Sequence, residues 1–142
     1  MTAGDHRDAD RVGFAQAYPA VPESVSAIRR ALARFASESG APSRVGDAAA
    51  LAVSEAATNV VVHAYRESAE QGRIEVTGAL TSDELLVTVS DTGIGLRPYP
   101  DSPGLGLGLA IIAQTVDRVE LLRPHTGGFE LRMHFALRTA PP

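Results

Sequence analysis

Residues 84–96 read ELLVTVSDTGIGL, and the fold turns on what happens at Asp91. Leu85, Leu86, Val87 and Val89 form an apolar run with the length and β-branched content of a buried strand. The run ends on an aspartate, with Gly93 and Gly95 close behind. A turn needs one glycine at most. Two of them beside a lone acid indicate that something approaches the backbone closely, because glycine has no Cβ to hold it off. The plain alternative is a turn capped by the Asp91 carboxylate.

Around this stretch, strands and helices alternate. Arg73 to Leu80 reads as a strand joined to Glu84–Ser90 through TSDE, a hairpin. Val12 to Tyr18 reads as a short strand interrupted by Gly13. In VPESVSAIRRALARFASESG, residues 21–40, Val25, Ile28, Leu32 and Phe35 recur at helical spacing. Pro22 stands near the start of that helix and Gly40 just past its end. Asp47 to Tyr65 predicts a second helix, entered through Ser43 or Asp47. Leu105 to Val116 predicts a third. Val119–Arg123 and Phe129–Leu137 predict a second hairpin across PHTGG.

A chain of 142 residues accommodates one domain, expected over 11–138 between disordered ends at 1–10 and 139–142. With few aromatics and no Trp, its core is aliphatic. The net charge of −4 argues against general nucleic-acid binding, which needs a basic surface. The absence of Cys removes disulfides, zinc-thiolate sites and Cys nucleophiles, and fits a reducing cytoplasm. No apolar stretch is read as approaching the ~20 residues of a membrane span.

The second helix carries an anomaly. With Glu55 as zero and about 100° per residue, Asn59 falls near 40° and His63 near 80°. Leu51 and Val62 fall beside Glu55, so the helix is apolar almost all round, as a buried helix is. A buried carboxylate costs several kcal/mol unless paired or used. Against this stands the simpler reading of an exposed polar strip on an Ala-rich helix. A third feature is PGLGLGLAII, residues 103–112, where Gly104, Gly106 and Gly108 lead into a helix. Free N–H groups at a helix start suit phosphate. The stretch lacks the Lys-Ser/Thr of a P-loop, and Leu109 stands where a dinucleotide fingerprint needs its last glycine.

In their order these features resemble one family. VSEAATNVVVHAY (53–65), VSDTGIGLRPYPDSPGLGLGLAII (89–112) and DRVEL (117–121) are similar to the ATP-binding domain of gyrase-type, chaperone, histidine-kinase and mismatch-repair ATPases. The match is closest to its anti-sigma-factor serine/threonine kinase branch and covers residues 11 to 138. The resemblance implies an α+β two-layer sandwich: a mixed, mainly antiparallel sheet with helices on one face. It implies ATP and Mg²⁺, with Asp91 accepting a hydrogen bond from the adenine amino group. An ionised carboxylate only accepts, so it selects that edge over a carbonyl. Gly93 and Gly95 would let the backbone pass the nucleotide. Asn59 matches the magnesium ligand and Glu55 the general base. His63 matches a position near the phosphates, with a satisfied core histidine as its alternative. Gly104, Gly106 and Gly108 match the glycines closing over the phosphates, and Arg97 lies in the short lid between.

The implied function is that of a cytoplasmic homodimeric kinase. It would sequester an alternative sigma factor and phosphorylate a small anti-anti-sigma protein, with no direct nucleic-acid or membrane contact. Two alternatives accompany it: a non-catalytic ATP-binding interaction module, and a histidine-kinase-type ATP-binding domain. A complete histidine kinase is not expected, since only some twenty residues precede the first helix. One departure stands out. Where the family usually carries a small hydroxyl residue after the last glycines, this chain has Phe129 and Glu130.

Overall fold

Alternation of buried and exposed residues builds a single antiparallel sheet. The computed structural model describes residues 12–67, 72–91, 110–122 and 129–138. Its strands are β1 (Val12–Pro19), β2 (Arg73–Leu80), β3 (Glu84–Asp91), β4 (Arg118–Leu122) and β5 (Phe129–Ala136). They lie in the order β1-β2-β3-β5-β4. All four ladders between described strands are antiparallel, so the mainly antiparallel sheet expected is antiparallel throughout these residues. Ile74, Val76, Leu85, Val87, Val89, Leu131, Met133 and Phe135 are buried on the face that carries the helices.

Helix α1 (Pro22–Glu38) starts with proline, whose missing N–H costs nothing in the first turn. The Ser24 hydroxyl donates to the Pro19 carbonyl at 2.6 Å and ties the helix entry to the end of β1. The helix stops at Gly40, whose φ of 91° is open to glycine and costly for other residues. Its buried side carries Ile28, Leu32, Phe35 and Ala36. Phe35 lies over Gly78 of β2, where a Cβ would come within 3.1 Å of the ring, so a side chain there would have to displace it. The Phe14 ring packs beside Phe35, centroids 5.5 Å apart.

Helix α2 (Ser43–Glu67) packs along α1 and onto β3 and β5. It begins at Ser43, four residues before the shorter alternative start. The Arg44 guanidinium donates to the Leu137 carbonyl at 2.6 Å and pins this start to the chain after β5. Ala49, Ala52, Val53, Ala56, Ala57 and Val60 join the core. Their stretch, Ser43–Val62, is long and apolar enough to cross a membrane, which corrects the sequence reading that no stretch came close. Half of it is buried inside the domain, the signature of a core helix. A helical segment at 110–115 adds Ile112 to the same core.

The other face of the sheet is polar. His134 of β5 reaches Glu84 of β3 at 3.1 Å through Nδ1 and Glu120 of β4 at 2.7 Å through Nε2. Both nitrogens donate at once only when the ring is protonated. Arg118 adds a contact to Glu120 at 3.7 Å. The imidazole thus joins three strands and holds the edge strand β4 to the sheet. The hydrogen bond from His134 holds the Glu120 carboxyl below its ordinary value of 4.5. Burial opposes this, and the charges of Arg118, His134 and Arg132 reinforce it.

A depressed carboxylate contributes stability above its unfolded pKa and loses it as pH falls through the folded value. Glu120→Gln is therefore expected to flatten the acid limb of the stability curve. In denaturant titrations from about pH 6 to about pH 3, the variant loses less stability than wild type below pH 4.5.

Candidate functional site

The chain path brings two elements to one end of the sheet. β3 runs out to Asp91, which pairs in register with Ile74 at the start of β2 and Phe129 at the start of β5. A four-residue link, 68–71, separates the end of α2 from Gly72, whose carbonyl accepts from Ala20 N–H at 2.8 Å. The C-terminal end of α2 therefore returns to the same end of the sheet as Asp91, and α2 packs on the strand that carries it.

Asp91 is 4% exposed, between Ile74 and Phe129, which are also buried. Residues opposite each other in antiparallel strands point to the same face. The carboxylate thus sits in an apolar row, where a buried acid requires a hydrogen-bonding or charged partner. Asp91 and its burial agree with the strand reading. Its two neighbours were not evident, because register is decided by pairing between distant segments. The Phe129 departure lies directly against the candidate acceptor, and Glu130 points to the other face, 2.8 Å from Arg132.

On α2, Asn59 is 9% exposed, and among the described residues no group bonds its amide. Glu55, one turn earlier, is half-buried and likewise makes no hydrogen bond or ion pair to a described residue. The expectation of a helix buried all round is corrected here. Leu51 and Val62 are 47% and 43% exposed, and Thr58 is exposed beside them. The helix buries its small residues against the sheet and α1, and leaves open the strip that carries Glu55. His63 is on α2, and its side chain lies outside the described residues. So do Gly93, Gly95, Arg97, Gly104, Gly106 and Gly108.

The donor set suits a nucleotide: an acceptor buried in an apolar row, a near-buried amide oxygen and an accessible carboxylate. Among the described residues no group of three His, Cys, Asp or Glu side chains could hold a metal by itself. A divalent ion at Asn59 would draw its remaining ligands from phosphate and water, as Mg²⁺ commonly does.

Comparison with known proteins shows the family. Residues 18–135 match the histidine kinase-like ATPase domain. The serine-protein kinase RsbW of Staphylococcus epidermidis is 33% identical over 120 residues, covering 74% of this chain and 76% of that protein. RsbW of Staphylococcus aureus strain MSSA476 is 32% identical over the same shares. Among solved structures, the RsbU and RsbW domains of Rv1364c from Mycobacterium tuberculosis superpose with a TM-score of 0.68 at 22% identity. That match covers 87% of this chain and 32% of the other, and it shows the fold.

Proposed function

This chain belongs to the family of histidine kinase-like ATPase domains, in its anti-sigma-factor kinase branch, and on that premise we propose that it is an ATP-dependent protein serine/threonine kinase. It holds an alternative sigma factor inactive and phosphorylates a small anti-anti-sigma protein, as a homodimer in the cytoplasm. One observation carries the reading. The helix presenting Glu55 and Asn59 packs on the strand that ends in the buried Asp91, at one end of the sheet.

The roles follow from the chemistry of each group. Asp91 accepts from the adenine amino group. Asn59 Oδ1 helps to hold Mg²⁺, which offsets phosphate charge when bound. Glu55 takes the proton of the acceptor hydroxyl as that oxygen bonds to the γ-phosphorus. The bond from this phosphorus to the bridging oxygen breaks, and ADP leaves. The family resemblance assigns His63, Arg97 and the glycines at 93, 95, 104, 106 and 108 to the phosphates. The part-exposed Glu55 supports this assignment, since a base must be reached by the group it deprotonates.

For the sigma factor we propose the outer side of α1. Arg29, Arg30 and Arg34 are exposed there in a chain of net charge −4. Between α1 and the edge strand β1 runs a groove of about 500 Å³ lined by Phe14, Arg30, Arg34 and Phe35. Glu38 also lines the groove, 3.9 Å from Arg34, so the rim is mixed with an excess of positive charge, and over its aromatic floor it fits a partner surface that is mainly acidic around an apolar centre.

Each assigned role has its own expected outcome. Asp91→Asn places an amide where an acceptor-only group stood and should weaken ATP binding by ~1–3 kcal/mol. Wild type should bind ATP far better than GTP in calorimetry, and equal affinities would remove Asp91 from base recognition. Glu55→Gln should keep ATP affinity while single-turnover transfer falls by ~10²–10⁴-fold. Asn59→Ala should lose magnesium-dependent binding and transfer together. The decisive assay is incubation with Mg-ATP and anti-anti-sigma proteins from the same genome, followed by phosphosite mapping. ATP binding without transfer to any of them points instead to the non-catalytic module. Finally, charge reversal at Arg30 and Arg34 should weaken sigma-factor binding and leave ATP binding intact, and unchanged affinity moves the interface elsewhere.

A further inference from the structure

The open strip of α2 has a composition that folding alone does not explain. Leu51 and Val62 are 47% and 43% exposed, on either side of Glu55 along the helix. At about 100° and 1.5 Å per residue, both lie within about 40° of Glu55, about 6 Å before it and about 10 Å after it. Thr58 stands between them, and its hydroxyl donates to the Ser54 carbonyl at 2.7 Å. Ser54 in turn donates to the Ala50 carbonyl at 2.8 Å. These hydroxyls are spent on the helix backbone. What the strip offers a visitor is aliphatic carbon around the Glu55 carboxylate. A single exposed aliphatic is ordinary. Two that bracket an accessible acid on one helix strip form a small surface with a reactive centre.

We infer that this strip is the docking surface for the phosphoacceptor protein, with Leu51 and Val62 as its apolar contacts. The inference rests on the reading of Glu55 as proton acceptor. For that step the acceptor hydroxyl must come within about 2.6–3.2 Å of Glu55. A folded protein brought that close covers the helix surface a turn or more to each side, and Leu51 and Val62 lie within this footprint. The acceptor is therefore a protein whose serine or threonine is flanked by apolar side chains. An acidic segment is disfavoured, because among the described residues of the strip the one charge is the Glu55 carboxylate, which would repel it. Leu51 and Val62 touch neither nucleotide nor metal in this arrangement. They set which protein presents its hydroxyl to Glu55.

The test uses Leu51→Ser, Val62→Ser and the double variant, all at exposed positions. The substrate is the anti-anti-sigma protein that accepts phosphate from wild type in the phosphosite assay. ATP affinity, ATP turnover without acceptor, the KM and kcat for acceptor, and oligomeric state by light scattering are measured together. The expected result is a rise of about tenfold or more in acceptor KM for the double variant, with kcat, ATP affinity and oligomeric state unchanged. Leu51→Met and Val62→Ile should retain the wild-type KM. An unchanged acceptor KM in the double variant overturns the inference while leaving the kinase reading intact. A loss of ATP affinity assigns the strip to the nucleotide site, and a change of oligomeric state assigns it to a contact between copies. Either outcome also overturns it. A wild type that transfers to no acceptor removes the kinase reading itself, and this surface with it.

Discussion

The seating of α2 on β3 and β5 is the contact on which the rest of the structure depends. It is made largely by small side chains. Ala49, Ala52, Ala56 and Ala57, with Val53 and Val60, share one core with Val87, Val89, Leu131 and Met133. Alanine lets a helix backbone come close to a sheet, and packed interiors do not deform smoothly, so the rotation of α2 is fixed within narrow limits. That rotation decides which residues remain at the surface. It places the Asn59 amide at the margin of the core and Glu55 just outside it. A helix seated one position differently would bury the acid and expose the alanines.

The environments of the two carboxylates differ for the same reason. Asp91 ends a central strand and is enclosed by its neighbours in register, Ile74 and Phe129. Glu55 stands on a helix strip that reaches solvent. A group that only recognises a ligand profits from being enclosed, because its hydrogen bond then meets no competition from water. A group that takes up and releases protons needs a route for them. With the proposed roles, one side-chain chemistry would serve two duties through depth alone, a separation often seen where paired acids divide their roles.

Much of the fold was legible from local pattern. The β3 run, the Thr81–Glu84 turn, and Pro22 and Gly40 at the ends of α1 are each decided by neighbours in sequence, so alternation and end signals found them. The orientation of α2 was not. An alanine-rich helix carries a weak amphipathic signal, and the sheet chooses its buried side. Leu51 and Val62 looked like core residues for that reason and proved exposed. Asp91, Glu55 and Asn59 stood out because polar types are unusual in an otherwise apolar context, and the family resemblance joined them into one candidate site. The row Ile74, Asp91, Phe129 was not, since no local rule predicts which distant strand will lie beside which.

The sheet has two rims, and each is formed by a strand with one unpartnered side among the described residues. On β4, Arg118 and Glu120 interleave with Val119 and Leu121, and the last two remain well exposed. The opposite rim, β1, carries Gly13 and ends on Pro19, which has no N–H to offer a neighbour. A rim of bare aliphatics would template growth into ribbons. Here any strand laid along β4 would have to desolvate the charges of Arg118 and Glu120, and one laid along β1 would meet a gap in the ladder at Pro19. The same two strands that close the domain thereby guard it against polymerising through its own edges.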